Sequence, residues 1–197
     1  TFAIAKPDNA EEEDIAICCS SEEPVERIYE GQFIREVLDH SQEAVDMSRM
    51  KSGAPLLLNH NVNDQIGVVT AAAVTSDRKM RATVKFSRSA RGREIRQDVL
   101  DGIRTMVSIG YQITKGQLEK RDGKEIYRVT SWCPMETSLV AIPADKTVGV
   151  GRAASPIPSN QQTPNTAKPM SDNKVEVIDP AAIPNGIRLT RRIAVRQ

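Results

Sequence analysis

From Met80 to Phe86 apolar and polar side chains alternate without a break, with Met80, Ala82, Val84 and Phe86 set against Arg81, Thr83 and Lys85. A two-residue period buries one face of a β-strand and does not fit a helix, whose apolar stripe recurs every three to four residues. The same signal returns elsewhere. Residues 55–58 are the apolar run Pro-Leu-Leu-Leu, and residues 66–74 are rich in Val and Ala after the polar turn of Asn61, Asn63 and Asp64. Residues 106–113 resume the two-residue period, and after a hairpin-like turn at 121–124 the segments 126–132 and 135–142 read as further strands. One segment breaks the pattern: between Ser89 and Asp101, and just beyond, Ile95, Val99 and Ile103 recur every fourth residue among charged neighbours. Ser89 is placed to cap a helix there and Gly102 to end it. Many short strands with one or two helices predict a mainly β, α+β domain, built as a closed or partly closed antiparallel barrel or a strongly curved sheet.

A chain of 197 residues has room for one ordinary core plus tails. After Gly151, Ser, Pro, Asn and Gln crowd together and apolar periodicity stops, which marks residues 151–170 as a linker. Residues 15–150 are then the folded domain, residues 1–14 an acidic tail carrying Glu11, Glu12, Glu13 and Asp14, and residues 171–197 a C-terminal segment. In that segment Val175, Val177 and Ile178, and then Ile187, Leu189, Ile193 and Val195, could form short docked strands, but Pro180 and Pro184 interrupt them and Arg188, Arg191, Arg192 and Arg196 crowd its end, so a basic, loosely structured tail is the favoured reading.

Several classes of function are disfavoured. No apolar run approaches the roughly 18–20 residues that cross a bilayer, and the acidic first residues are unlike a signal peptide, so the chain is expected to stay where it is made, without a membrane partner. A net charge of +1 supplies no overall field for nucleic acid, and no nucleic-acid partner is expected. Cys18, Cys19 and Cys133 match neither a disulfide framework nor a metal-ligand spacing and are read as reduced thiols, with Cys133 a minor candidate nucleophile. GxSxG, HExxH, Walker and CxxC motifs are absent, so neither a metal nor a cofactor is expected.

Three segments hold residues suited to hydrolytic chemistry. In the strand around Val107, Ile109, Tyr111 and Ile113 the opposite face carries Ser108 and Gly110, and Gly110 leaves room beside a nucleophilic hydroxyl. His60 follows the Leu-rich strand at the lip of a polar turn, where an imidazole that titrates near neutrality serves as a general base. Glu136 shares a face with Ser138 near the start of an apolar strand, placed to orient that imidazole as the acid does in serine-hydrolase triads. Each residue alone also fits an ordinary strand-surface position. Tyr111 and Trp132 are read as core residues ahead of groove-lining ones.

Taken together, Leu57-Leu58-Asn59-His60 with Ile66-Gly67-Val68-Val69, Val107-Ser108-Ile109-Gly110-Tyr111 and Glu136-Thr137-Ser138-Leu139-Val140 resemble the caudovirus prohead proteases of the HK97 type. The likeness covers roughly residues 22–145 and keeps the order His, Ser, Glu. It implies a fold like that of the herpesvirus assembly proteases, an antiparallel β-barrel flanked by helices, that acts as a homodimer or higher homo-oligomer. It also implies a serine endopeptidase with His60 and Ser108 as the catalytic pair. Glu136 becomes the third member, although the herpesvirus enzymes use a second histidine there and no histidine follows Ser108. The substrates implied are scaffold segments of the phage major capsid protein and the protease itself, cut inside the assembling prohead in the host cytoplasm. Some members are fused upstream of the capsid protein, which suits the linker and the segment beyond it. Two rival readings stand beside this one: a catalytically inactive assembly or scaffold module with the same fold, and a β-barrel binding module with no capsid role.

Overall fold

A computed structural model describes residues 14–29, 32–121, 123–151, 176–177 and 193–195. The acidic tail therefore lies outside the described residues up to Asp14, as do the linker beyond Gly151 and the C-terminal segment apart from two short strands. The described elements, in chain order, are β1 (Ile15–Ser20), β2 (Val25–Tyr29), β3 (Gln32–Leu38), α1 (Ser48–Lys51), β4 (Pro55–Leu58), β5 (Asn61–Val74), β6 (Met80–Phe86), α2 (Ala90–Leu100), β7 (Val107–Arg121), β8 (Lys124–Leu139), β9 (Gly149–Val150), β10 (Glu176–Val177) and β11 (Ile193–Val195).

The strand predicted from alternation at 80–86 is β6, residue for residue. Its apolar residues Met80, Ala82, Val84 and Phe86 are all buried. Helix α2 also forms as predicted: the Ser89 hydroxyl accepts a hydrogen bond from the Gly92 N–H at 3.0 Å, and Gly102 follows the helix with φ +73°. Ile95 and Val99 are buried, whereas Ile103 lies past the helix end and is exposed.

Two predicted strands merge into one. Residues 126–132 and 135–142 were expected as separate strands flanking Pro134, yet β8 runs unbroken through it. Register explains this. Gly110 stands opposite Glu136 and Tyr111 opposite Pro134, so Met135 is the extra residue of a β-bulge. A proline, which has no N–H to give the ladder, is accommodated at such a point.

β8 is the spine of the sheet. Along one edge it pairs with β7 over nearly its full length, from Arg121↔Lys124 to Val107↔Leu139. Along the other it pairs first with β3 (Glu36↔Tyr127) and then with β4 (Leu56↔Thr137), both in parallel. The sheet is thus mixed, where an all-antiparallel one was expected. The strand order is β10, β7, β8, β4, β5, β6, β1, β9, with β11 also on β7 and β2 on β3. Among the described residues no ladder joins the two ends of this order, so the sheet is open and a closed barrel is not found.

The core is chiefly aliphatic, around one aromatic cluster. Trp132 is buried edge-on to Tyr111 and His40, and its indole N–H donates to the Asp39 carbonyl at 2.7 Å. His40 Nδ1 meets the Leu38 carbonyl at 2.8 Å, so this histidine belongs to the packing. The Tyr111 hydroxyl donates to the buried Glu36 carboxylate, and Arg27 approaches the same group. Tyr111 and Trp132 are core residues, in line with the primary reading of both.

The β5–β6 turn is held by charge. Arg81 donates from both terminal nitrogens to Asp77, each at 2.7 Å, and the Thr75 N–H closes the turn on the Lys79 carbonyl. Hydrogen bonds from Arg81 hold the Asp77 carboxyl well below the usual carboxylate range, against a smaller opposing effect of burial. A carboxyl depressed in the folded state stabilises the fold above its ordinary value of 3.8, and that stability is lost as pH falls below it toward the folded value. Because Asp77 is 48% exposed, screening limits the effect to a small one. Urea midpoints measured from about pH 5 down to about pH 2 should fall less steeply in Asp77→Asn than in the parent, and superimposable curves would rule this account out.

Candidate active site

Ser108 lies on β7, Glu136 on β8 and His60 just past the end of β4, and these strands lie side by side in the order β7, β8, β4. Ser108 on β7 stands opposite Ser138 on β8, and Gly110 opposite Glu136. Directly paired residues point to the same side of a sheet, so these four share one face. On the other edge of β8, Leu57 pairs with Ser138 and Leu58 with Leu139, which brings the end of β4 level with Ser108.

His60 is carried into place by a two-residue hairpin loop. Leu58 pairs with Asn61, leaving Asn59 and His60 as the central residues, and both have positive φ, +51° and +58°. Positive φ at both positions is the signature of a type I′ turn. Asparagine suits the first position, but glycine is usual at the second, so a histidine there is a local strain that its contacts must offset. Those contacts are present. The Asn59 N–H donates to the Leu139 carbonyl at 2.9 Å, and the His60 N–H donates to the Ser138 hydroxyl at 3.1 Å.

The imidazole meets the carboxylate directly. His60 Nδ1 lies 2.6 Å from Glu136 Oε1, and the side chains are 9% and 11% exposed. An ionised carboxylate only accepts, so Nδ1 carries the proton and the neutral ring is left with Nε2 as its acceptor. The Ser138 hydroxyl donates to Glu136 Oε2 at 2.7 Å while accepting from His60 N–H, so it fixes both partners. His60 Nε2 is buried with no hydrogen-bond partner. Ser108 is buried on the adjoining strand, but its hydroxyl does not bond to that nitrogen in this state.

Gly110 has a different use from the one expected. A Cβ built at Gly110 would lie 2.2 Å from Glu136 Oε1, so the space read as room beside the Ser108 hydroxyl is filled by the carboxylate. Ser138, expected only to share a face with Glu136, has a larger role as the hydroxyl that ties Glu136 to the His60 main chain. A buried hydroxyl two residues from a buried carboxylate on one strand face was the available signal.

The other candidate falls away. Cys133 is a free thiol whose pKa burial and the nearby Asp46 push up, against a smaller lowering by Arg49; burial likewise pushes Cys19 up to about 12. Raised thiols are poor nucleophiles. Among the described residues no group of three or more His, Cys, Asp and Glu side chains is arranged to hold a metal ion. No described helix is long and apolar enough to cross a membrane.

The sequence model of the caudovirus prohead serine protease family matches residues 20–162. The chain is 52% identical over 138 residues to the major capsid protein of Halomonas phage phiHAP-1, an alignment that covers 68% of this chain and 22% of that protein. The chain therefore spans only about a fifth of the length of this relative. No solved structure matches it.

Proposed function

Since the chain belongs to the caudovirus prohead serine protease family, we propose that it is a serine endopeptidase of capsid maturation in which Ser108 is the nucleophile, His60 the general base and Glu136 the orienting acid. The observation that carries this reading is the 2.6 Å contact between His60 Nδ1 and Glu136 Oε1, made beside the Ser108 strand with Nε2 left unpartnered.

The chemistry follows from that geometry. As the Ser108 oxygen bonds to the scissile carbonyl carbon, its proton passes to His60 Nε2, and the Glu136 carboxylate stabilises the imidazolium through Nδ1–H. Collapse of the tetrahedral intermediate breaks the C–N bond, and the departing amine takes the proton from Nε2. Water, deprotonated by the same nitrogen, then releases the acyl group and restores Ser108.

Residues 15–150 are the protease domain in this reading. Its substrates are the scaffold segments of the major capsid protein and the chain itself, cut within the assembling prohead. Identity to a phage major capsid protein over most of the chain supports that setting, since a protease joined to its capsid protein is incorporated with it. The family resemblance adds a homodimer or higher homo-oligomer. A barrel of the herpesvirus-protease type belongs to the same reading: β1 pairs with β6 on one side and β9 on the other, and the Val150 N–H reaches the Thr105 carbonyl just ahead of β7, which curls the sheet toward closure.

A serine-reactive organophosphonate tests the reading without a known substrate. It is expected to add one equivalent to the peptide containing Ser108, and His60→Ala is expected to slow that labelling by at least about 100-fold, the order of a general-base contribution. Absence of labelling in the folded parent chain would favour the inactive assembly module.

A further inference from the structure

β7 is 15 residues long, and β8 takes up one of its edges almost entirely. Its other edge meets two strands from the C-terminal segment, which the sequence reading had as loosely structured. Glu176 and Val177 pair with Lys120 and Glu119, and Ile193, Ala194 and Val195 pair with Gln112, Tyr111 and Gly110, all antiparallel. Both contacts are short ladders of two and three residues. The direction of the second is specific: each step from Ile193 to Val195 moves one residue along β7 toward Ser108, and Val195 stops two residues short of it.

We propose that this outer edge of β7 is where the protease takes up an extended peptide by strand addition, and that residues 193–195 of its own chain hold the edge in cis. The proposal rests on the proteolytic reading above only in assigning Ser108 as the destination of that peptide. A long edge strand offers a row of unpaired N–H and C=O groups, which a protein must cover or use. In strand addition the main-chain hydrogen bonds give affinity whatever the sequence, so a segment tethered in cis occupies the edge first and a substrate strand in trans can replace it. A three-residue ladder outside the core is also the kind of contact that opens locally without global unfolding. The tail is thus both cover for the edge and competitor for the peptide that reaches Ser108.

The 197-residue chain carrying Ser108→Ala, which removes the proposed nucleophile, isolates the docking step. Ala194→Pro and Val195→Pro are added separately, because alternate N–H groups of an antiparallel strand face its partner and only one of the two needs to be essential. Ala194→Ser, which keeps the N–H, is the control. At least one proline variant is expected to speed hydrogen exchange at the Gly110–Gln112 amides by tenfold or more. It is also expected to bind a fluorescein-labelled decapeptide of the sequence of residues 188–197, with recovery of that protection, whereas the parent and Ala194→Ser bind it at least tenfold more weakly. Unchanged exchange in both proline variants, or binding that leaves those amides unprotected, would overturn the docking. With Ser108 restored, the peptide should slow organophosphonate labelling of the proline variant. Docking with labelling unaffected would sink the link to Ser108, while docking with no labelling in any chain would refute the protease reading and leave the cis contact standing.

Discussion

Replacing Ser108 by alanine is expected to fix the intact mass of the chain during incubation, while the parent loses segments beyond Gly151. The loss of a serine nucleophile in enzymes of this mechanism lowers kcat by on the order of 10⁶, so no cleavage should be visible on a time course that takes the parent to completion. The fold should survive the change. Ser108 is a small buried residue one pair in from the end of the β7–β8 ladder, and its main-chain pairing with Ser138 does not involve the hydroxyl. A circular-dichroism melt of the variant should therefore lie close to that of the parent. Truncation that continues at the parent rate in Ser108→Ala would remove this residue from the nucleophile's role. Stable mass in both chains would shift weight to the assembly-module reading, with the labelling experiment as arbiter.

What the sequence reveals about this fold is local. β6 and α2 are legible because each satisfies its own period and, for α2, its own cap, so no distant partner is needed to predict them. Pro134 misleads because a bulge depends on the partner strand: only the offset between Gly110↔Glu136 and Tyr111↔Pro134 lets β8 continue. The parallel pairing of β8 with β3 and β4 is likewise a matter of topology. Glu36 is buried because Tyr111 and Arg27 partner its carboxylate, and a pairing made only through the fold is not legible from a carboxylate's place in the sequence. Ile193 and Val195 allow a short strand by their spacing, but the two prolines upstream weigh toward a loose tail, and the pairing with β7 is made by main-chain groups that side-chain pattern does not specify.

The site divides in the same way. Each of His60, Ser108 and Glu136 could be nominated from its own segment, but the His60–Glu136 contact and the place of Ser108 on the neighbouring strand depend on the register across β7, β8 and β4, which no single segment encodes. Family resemblance supplied the choice among ordinary-looking residues, and register supplied the contact. The positive-φ turn that delivers His60 was legible only as a polar loop, because the sequence Asn59-His60 lacks the glycine that usually announces a type I′ hairpin.

Glu136→Gln should lower the rate of self-cleavage by about 10⁴, as loss of the acid does in other serine-protease triads. The substitution conserves shape, so the Ser138 hydroxyl can keep its 2.7 Å contact and the sheet its packing. Two things change: the negative charge that stabilises the imidazolium disappears, and the new amide can present N–H to Nδ1, which places the ring proton on Nε2 and removes the acceptor for Ser108. The loss should fall on kcat and on organophosphonate labelling alike, with little change in KM. Gly110→Ala offers an independent route to the same defect, since its Cβ would lie 2.2 Å from Glu136 Oε1 and drive the carboxylate off His60. If both changes act through one contact, the double variant should be scarcely slower than the worse single one, because groups that work as a unit are not additive. A Glu136→Gln rate within tenfold of the parent would mean that His60 and Ser108 work without a third member, and that the 2.6 Å pair serves only to hold the strained turn.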